Sequence, residues 1–262
     1  VAKFIREFSD FINITSIDAE FDPRYKNIVC LTIALSEPFV NLSGRYINFV
    51  FHVLRLNFSS IQIDGRYGNV SQYEYISNFT IAFDESSSPV LTDMDTVILN
   101  NGTYILAFSI EATIGMRRSY TYVYRYSDIS QKNLNYTKIE YIDNHEGERI
   151  IMLYMKLGYE ENNFTFVYSF GYGDPLDYMT NMSFWGSSGS VYKAAIYSFP
   201  FMATGMSNVI LYGNIVYVCI PNYYSVLDED FITLIEWNIS RSPTWRDVTY
   251  ASLFYDLFGE VP

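Results

Sequence analysis

The sequence predicts an all-β chain, and three observations carry that expectation. Apolar and polar residues alternate with period two: Tyr104, Leu106, Phe108 and Ile110 interleave with Thr103, Ala107, Ser109 and Glu111, and Tyr120, Tyr122, Tyr124 and Tyr126 with Thr121, Val123 and Arg125. Aromatic residues make up 18% of the chain, 25 Tyr and 20 Phe among them, and such rings fit the pleated, half-buried surface of a sheet. Turn residues break these runs at short intervals, as Asn100, Asn101 and Gly102 do inside the clearest unit, residues 94–143.

Taken in order, residues 1–12 carry Val1, Ile5, Phe8 and Ile12 at helical spacing, but Phe11, Ile17, Ala19 and Phe21 also share one face of a strand starting near Ile12, and the strand is preferred. Beyond the break at Asp22 and Pro23, strands are expected over 27–35 and 45–56, with turns at 36–38 and 41–44. Further strands fit 61–64 and 73–83; in the latter Asn78, Thr80 and Ala82 face one way and Phe79, Ile81 and Phe83 the other. The loop 84–89 has three consecutive serines. After the central unit come strands at 149–157 and 163–170, where Phe164, Phe166, Tyr168 and Phe170 are expected to face in and Asn163, Thr165 and Ser169 out. Residues 171–190, rich in Gly, Ser and Asp, read as the longest loop region and the place for function, because binding groups concentrate on loops. Strands at 191–199, 209–212, 215–220 and 231–237 complete the pattern, and 251–259 suggests a short closing helix capped by Gly259.

Residues 27–33 and 214–220 share four identities in seven positions, and strand starts at Asn101 and Asn163 resemble them. Irregular units of four strands point to a β-propeller of four to six blades over a single 1–262 domain. The alternative is two tandem β-sandwich domains split near 84–89 or 144–148.

A net charge of −12, from 17 Lys plus Arg against 29 Asp plus Glu, opposes phosphate backbones and anionic lipid surfaces, so no nucleic-acid partner is expected. No apolar run reaches the roughly 18 residues that a membrane-spanning helix needs. Ten of the 19 Asn residues begin an Asn-X-Ser/Thr tripeptide: Asn13, Asn41, Asn57, Asn69, Asn78, Asn101, Asn135, Asn163, Asn181 and Asn238. With 41 Ser and Thr in the chain, chance would give about three. The excess predicts N-glycosylation, hence secretion to the cell surface or beyond. Cys30 and Cys219 could close one long-range disulfide, or remain two buried thiols. Dense acceptor sites with so few cysteines resemble the composition of surface proteins of thermoacidophilic archaea.

Catalytic signatures are sparse. Gly186, Ser187, Ser188 and Gly189 fall one position short of a serine-nucleophile elbow, and the two histidines, His52 and His145, are too few for a three-histidine zinc site. His52, in an apolar run, reads as a wall residue. Asp143, Glu146 and Glu148 put oxygens in a Gly-containing turn, a weak calcium pattern without EF-hand spacing; no other cofactor is expected. A glycosidase needs two carboxylates a few ångströms apart, for which Asp93, Asp95, Glu140 and Glu236 are the candidates. Tyr126, Ser127 and Asp128 followed by Tyr136 and Thr137, and the run from Ser240 to Trp245, resemble the blade turn of the sialidase family without its glycine. That resemblance implies blade geometry more than sialidase chemistry. The resulting expectation is a non-enzymatic structural or adhesion protein, self-assembling or contacting a surface receptor or glycan. The alternative is a secreted glycan-processing hydrolase.

Overall fold

A computed structural model describes residues 13–57, 61–64, 67–70, 73–114, 116–130, 136–142, 149–173, 176–197, 201–224, 229–239 and 248–249. Among them the chain is all-β, with four antiparallel sheets of at least four strands and no closed barrel or ring of blades. It divides into two compact units: Val1–Gly115 with Tyr120–Ile142, and Met116–Ser119 with Asp143–Pro262.

In the first unit, β1 (Asn13–Phe21), β2 (Ile28–Asn41), β3 (Gly44–Asn57) and β6 (Tyr73–Asp84) form one sheet in the order β1-β2-β3-β6. The small hairpin of β4 (Ile61–Asp64) and β5 (Tyr67–Val70) lies between β3 and β6 in the chain. A 3₁₀ turn at Glu85–Ser87 joins β6 to the second sheet, a meander of β7 (Val90–Ile98), β8 (Tyr104–Ile114), β9 (Met116–Tyr126) and β10 (Tyr136–Ile142). The two sheets face each other across an aromatic core. The Phe108 ring lies 4.3 Å from Phe51 and 5.8 Å from Phe79, and Tyr124 lies 5.0 Å from Phe79. Offset and tilted pairs of this kind contribute beyond the area they bury. Polar pins cross the same gap: Thr96 donates to Asp18 at 2.5 Å, and the Thr32 and Tyr104 hydroxyls bond to each other.

In this unit the break at Asp22 anchors a partly buried ion network. The Asp22 carboxylate, with a fully buried side chain, accepts from the Arg24 backbone N–H at 3.1 Å and from its Nε and Nη2 at 2.9 Å. Arg24 also reaches Asp128 at 3.0 Å, and Arg55 lies 3.9 Å from Asp22 and 3.8 Å from Glu74. Both guanidinium groups lie over the Tyr25 ring, at 5.4 and 5.3 Å. The Arg24 guanidinium fills the space beside Gly102, whose φ of 85° closes the β7–β8 turn; a Cβ there would lie 2.0 Å from Arg24 Nη1.

The expected turn at 36–38 is instead continuous β2, including Pro38. Among the described residues the pairing of β1 with β2 ends at Ser36, so no described residue of β1 faces Pro38, which has no N–H to give to a ladder. The hairpin closes at Asn41, whose Oδ1 accepts from the N–H groups of Ser43 and Gly44. β1 is an ordinary edge strand of its own sheet, while residues 1–12 and the expected helix at 251–259 lie outside the described residues.

The second unit pairs β11 (Ile150–Glu160), β12 (Asn163–Tyr172), β13 (Asp177–Trp185) and β14 (Val191–Tyr197), in that order, with a sheet of β15 (Phe201–Ala203), β16 (Ile210–Tyr212), β17 (Ile215–Tyr224), β18 (Glu229–Asn238) and β19 (Val248–Thr249). Their shared core sets Val167, Met182 and Phe184 against Val216, Val218, Ile220, Ile235 and Trp237. Gly158 allows β11 to approach Val209, whose carbonyl oxygen would lie 2.7 Å from an added Cβ.

Two expectations change here. Residues 177–185, read as loop, are strand β13: Thr180 and Ser183 are polar but buried, the first bonded to Ser169 at 2.7 Å and the second accepting at its carbonyl from Thr165 at 2.9 Å. Thr165 and Ser169 therefore do not face out. They share the intersheet face with Val167, while Phe166, Tyr168 and Phe170 stack along the other face at 5.0 and 5.7 Å.

Cys30 and Cys219 are both free thiols, so the disulfide expectation is corrected. Cys30 faces the core of the first unit, opposite Arg55 of β3, fully buried. Cys219 sits on β17 of the second unit, on the face opposite to that of Val218 and Ile220 and only half-buried. Burial, reinforced by the Asp22 carboxylate, pushes the Cys30 thiol up to about 12.

Candidate functional site

The polar stretch that ends β13 and begins β14 builds a cleft in the second unit. Gly186 donates to the Ser190 carbonyl at 2.9 Å and Gly189 to the Gly186 carbonyl at 3.0 Å, which folds the chain back on itself. Gly189 adopts φ of 82°, a conformation that favours glycine, and a Cβ on Gly186 would lie 2.5 Å from Ser190 Oγ and displace that hydroxyl. The turn is tied to β12 by the Ser187 N–H, which donates to Asn163 Oδ1 at 2.8 Å.

The resulting cleft, of about 300 Å³, is lined by Asn163, Ser187, Ser188, Ser190, Tyr192 and Asn214 over a floor that includes Phe184 and Ile239. Asn214 is brought in from the turn before β17, where its carbonyl accepts from the Ile239 N–H at 2.9 Å. Tyr192 stands on the edge strand β14, 49% exposed, its ring 6.1 Å from Phe184. Among the described residues no carboxylate, ammonium or guanidinium lines the cleft. The described lining offers neutral amides, hydroxyls and one accessible aromatic face, groups that recognise a ligand by hydrogen bonding.

None of the carboxylates singled out for glycoside cleavage is among the described residues that line it. Asp93 and Asp95 point to one face of β7, paired with Ser109 and Ala107; Asp95 is buried and Asp93 half-buried, its carboxylate accepting from the Met94 N–H at 2.9 Å. Glu236 is exposed on β18 of the other unit, opposite Tyr217. Glu140 lies in β10, and its side chain is outside the description. Asp143, Glu146 and Glu148 also lie outside the described residues, among which no group of three ligating side chains could hold a metal. His52 is half-buried, with Nδ1 2.9 Å from the Tyr75 hydroxyl, and burial lowers its pKa.

Of the ten glycan-acceptor positions, Asn13, Asn41, Asn78 and Asn101 are exposed, Asn78 on the face of β6 opposite to buried Phe79. Asn57, Asn163, Asn181 and Asn238 are half-buried. Asn69 lies in β5 with its side chain undescribed, and Asn135 falls outside the described residues. Asn181 differs from the rest. It sits in the middle of β13, its Nδ2 donates to the Tyr168 hydroxyl at 2.9 Å, and its Oδ1 is buried without a partner.

The region around 171–190 was marked by its composition, but Asn214 and Ile239 carry no local signal that they join it. The Arg24 network was likewise invisible, since its members are scattered from Asp22 to Asp128. The chain matches no protein family, no curated protein and no solved structure.

Proposed function

We propose that this chain is a secreted, N-glycosylated surface or extracellular structural protein that acts by cohesion, adhesion or receptor contact. The observation that carries the reading is the set of ten acceptor tripeptides among 19 Asn residues. The exposure of Asn13, Asn41, Asn78 and Asn101 supports it, because a glycan must leave the surface freely. The test is the intact mass of the protein from its native source. A mass several sugars above the bare 30.4 kDa chain is expected, and the bare mass refutes the reading.

Its partners, in this reading, are other copies of itself or a surface receptor or glycan. Self-assembly by strand addition would rest on residues ahead of Asn13, since β1 is already paired to β2. Deleting residues 1–12 and measuring size by light scattering tests this: collapse of a polymer to a folded monomer supports filament formation, and unchanged size refutes it. Four sheets of at least four strands also match a set of propeller blades; that finer architecture is tested by an experimental map of the whole chain.

One observation favours the rival reading, a glycan-processing hydrolase: Asp93 and Asp95 share a face of β7, about 6–7 Å apart along the strand, within the range of paired glycosidase carboxylates. Turnover of a glycan library that is lost in Asp93→Asn and Asp95→Asn would favour it.

A further inference from the structure

The cleft between the 186–190 turn and Asn214 has a composition that selects one class of ligand. A phosphate, carboxylate or sulfate needs a cation or an array of N–H groups, and an organic cation needs a carboxylate or an aromatic cage. Among the described residues the lining holds no carboxylate, ammonium or guanidinium and only one exposed ring, so they supply no charge for either class and no aromatic cage. It offers two amides, each donor and acceptor at once, three serine hydroxyls, and the Tyr192 phenol, its ring half exposed beside Phe184. A pyranose presents the matching surface: a rim of hydroxyls that both donate and accept, and an apolar C–H face that lies flat on an aromatic ring.

We propose that this cleft binds an uncharged saccharide, with Tyr192 as the stacking platform and Asn163, Asn214 and the serines of the 186–190 turn as hydrogen-bonding partners. At about 300 Å³ the site is at the small end of ligand pockets, which run from about 300 to 1,000 Å³, enough for one or two sugar rings. It is also built in advance of the ligand. The turn is closed by two backbone bonds and fixed to Asn163 by a third, so little ordering entropy remains to be lost on binding. The proposal goes beyond the surface-protein reading and does not depend on it, because it is argued from the lining of the unglycosylated chain.

The saccharide has two sources. One is a glycan on this chain: Asn163 both lines the cleft and begins an acceptor tripeptide. The other is a sugar presented by another molecule.

The first arm of the test uses the unglycosylated chain, titrated by saturation-transfer NMR with neutral disaccharides of hexose and N-acetylhexosamine, and with a hexose phosphate as the charged control. Saturation of at least one neutral sugar, weakened at least tenfold in Tyr192→Ala and retained in Tyr192→Phe, is the expected result. The ring-retaining variant separates loss of the platform from loss of folding. No transfer to any neutral sugar, equal transfer to the phosphate, or wild-type binding by Tyr192→Ala overturns the proposal. The second arm uses glycosylated protein. If it no longer takes up the disaccharide that binds the unglycosylated chain, the cleft holds the protein's own glycan; if uptake is equal, the site serves an external sugar, and both results keep the site.

Discussion

Replacing Asp22 by Ala should open the first unit without touching the second. The carboxylate is fully buried and accepts three bonds from Arg24, with an Arg55 nitrogen 3.9 Å away. Removing one member of a buried ion pair costs about 3–5 kcal/mol, because the remaining charge is left uncompensated. Here the guanidinium groups keep 21% and 16% exposure and second partners in Asp128 and Glu74, so the lower end applies, about 3 kcal/mol. Tryptophan fluorescence cannot read this loss, since Trp185, Trp237 and Trp245 all lie in the second unit. Cys30 can: it is the first unit's one cysteine and is fully buried. With Cys219 replaced by Ser, the rate at which a thiol reagent labels Cys30 under native conditions follows the population of the open state. At 1.36 kcal/mol per tenfold, the substitution should accelerate labelling about 150-fold. Asp128→Ala, which removes a partly exposed partner, should cost under about 1 kcal/mol and accelerate it about fivefold or less. An Asp22→Ala acceleration below about fivefold, the equivalent of about 1 kcal/mol, would refute the assignment of the network as the clamp of this unit.

Three further outcomes are expected. Gly102→Ala forces a side chain into φ of 85° and into the Arg24 guanidinium, and should cost about 2–3 kcal/mol, measured by the same labelling rate; a loss under about 1 kcal/mol would show that Arg24 moves aside freely. The Cys30 thiol is held protonated up to about 12 in the folded chain, above its unfolded value of about 8.5. Its contribution is therefore complete below about pH 8.5 and is lost as pH rises through the folded value, so stability between pH 9 and 10 should fall by about 1.4 kcal/mol per unit from this group, and Cys30→Ala should flatten that slope in urea titrations followed by tyrosine circular dichroism. In protein from its native source, peptide mass mapping should find sugar at Asn41 and Asn78 and none at Asn181, whose Nδ2 is bonded to Tyr168; full occupancy of Asn181 would mean that β13 closes only after modification.

What the sequence determined by itself was local. The all-β class, the four-strand meander within 94–143 and the hairpin at Asn100 to Gly102 were legible because their causes lie within a few residues: alternation along a strand and a glycine at positive φ. The outward aspect of Asn78 followed from the same alternation, since its face of β6 meets solvent. Where a strand is covered on both sides, alternation stops pointing inward. In β12 it marked the aromatic face as the inner one, yet Thr165 and Ser169 are buried on the intersheet side, and in β8 Ser109 and Ala107 are as buried as Phe108. Only the tertiary structure decided that, because burial depends on which sheet lies opposite. It likewise decided that β2 runs on through Pro38 to its hairpin with β3, and that Cys30 and Cys219 remain free thiols on strands of different units. The cleft divides along the same line. Its serine- and glycine-rich turn is visible in residues 186–190, but Asn163, Asn214 and Ile239 join it through strand pairing and packing at long range, where chain entropy must be overcome by contacts that no short stretch of sequence contains.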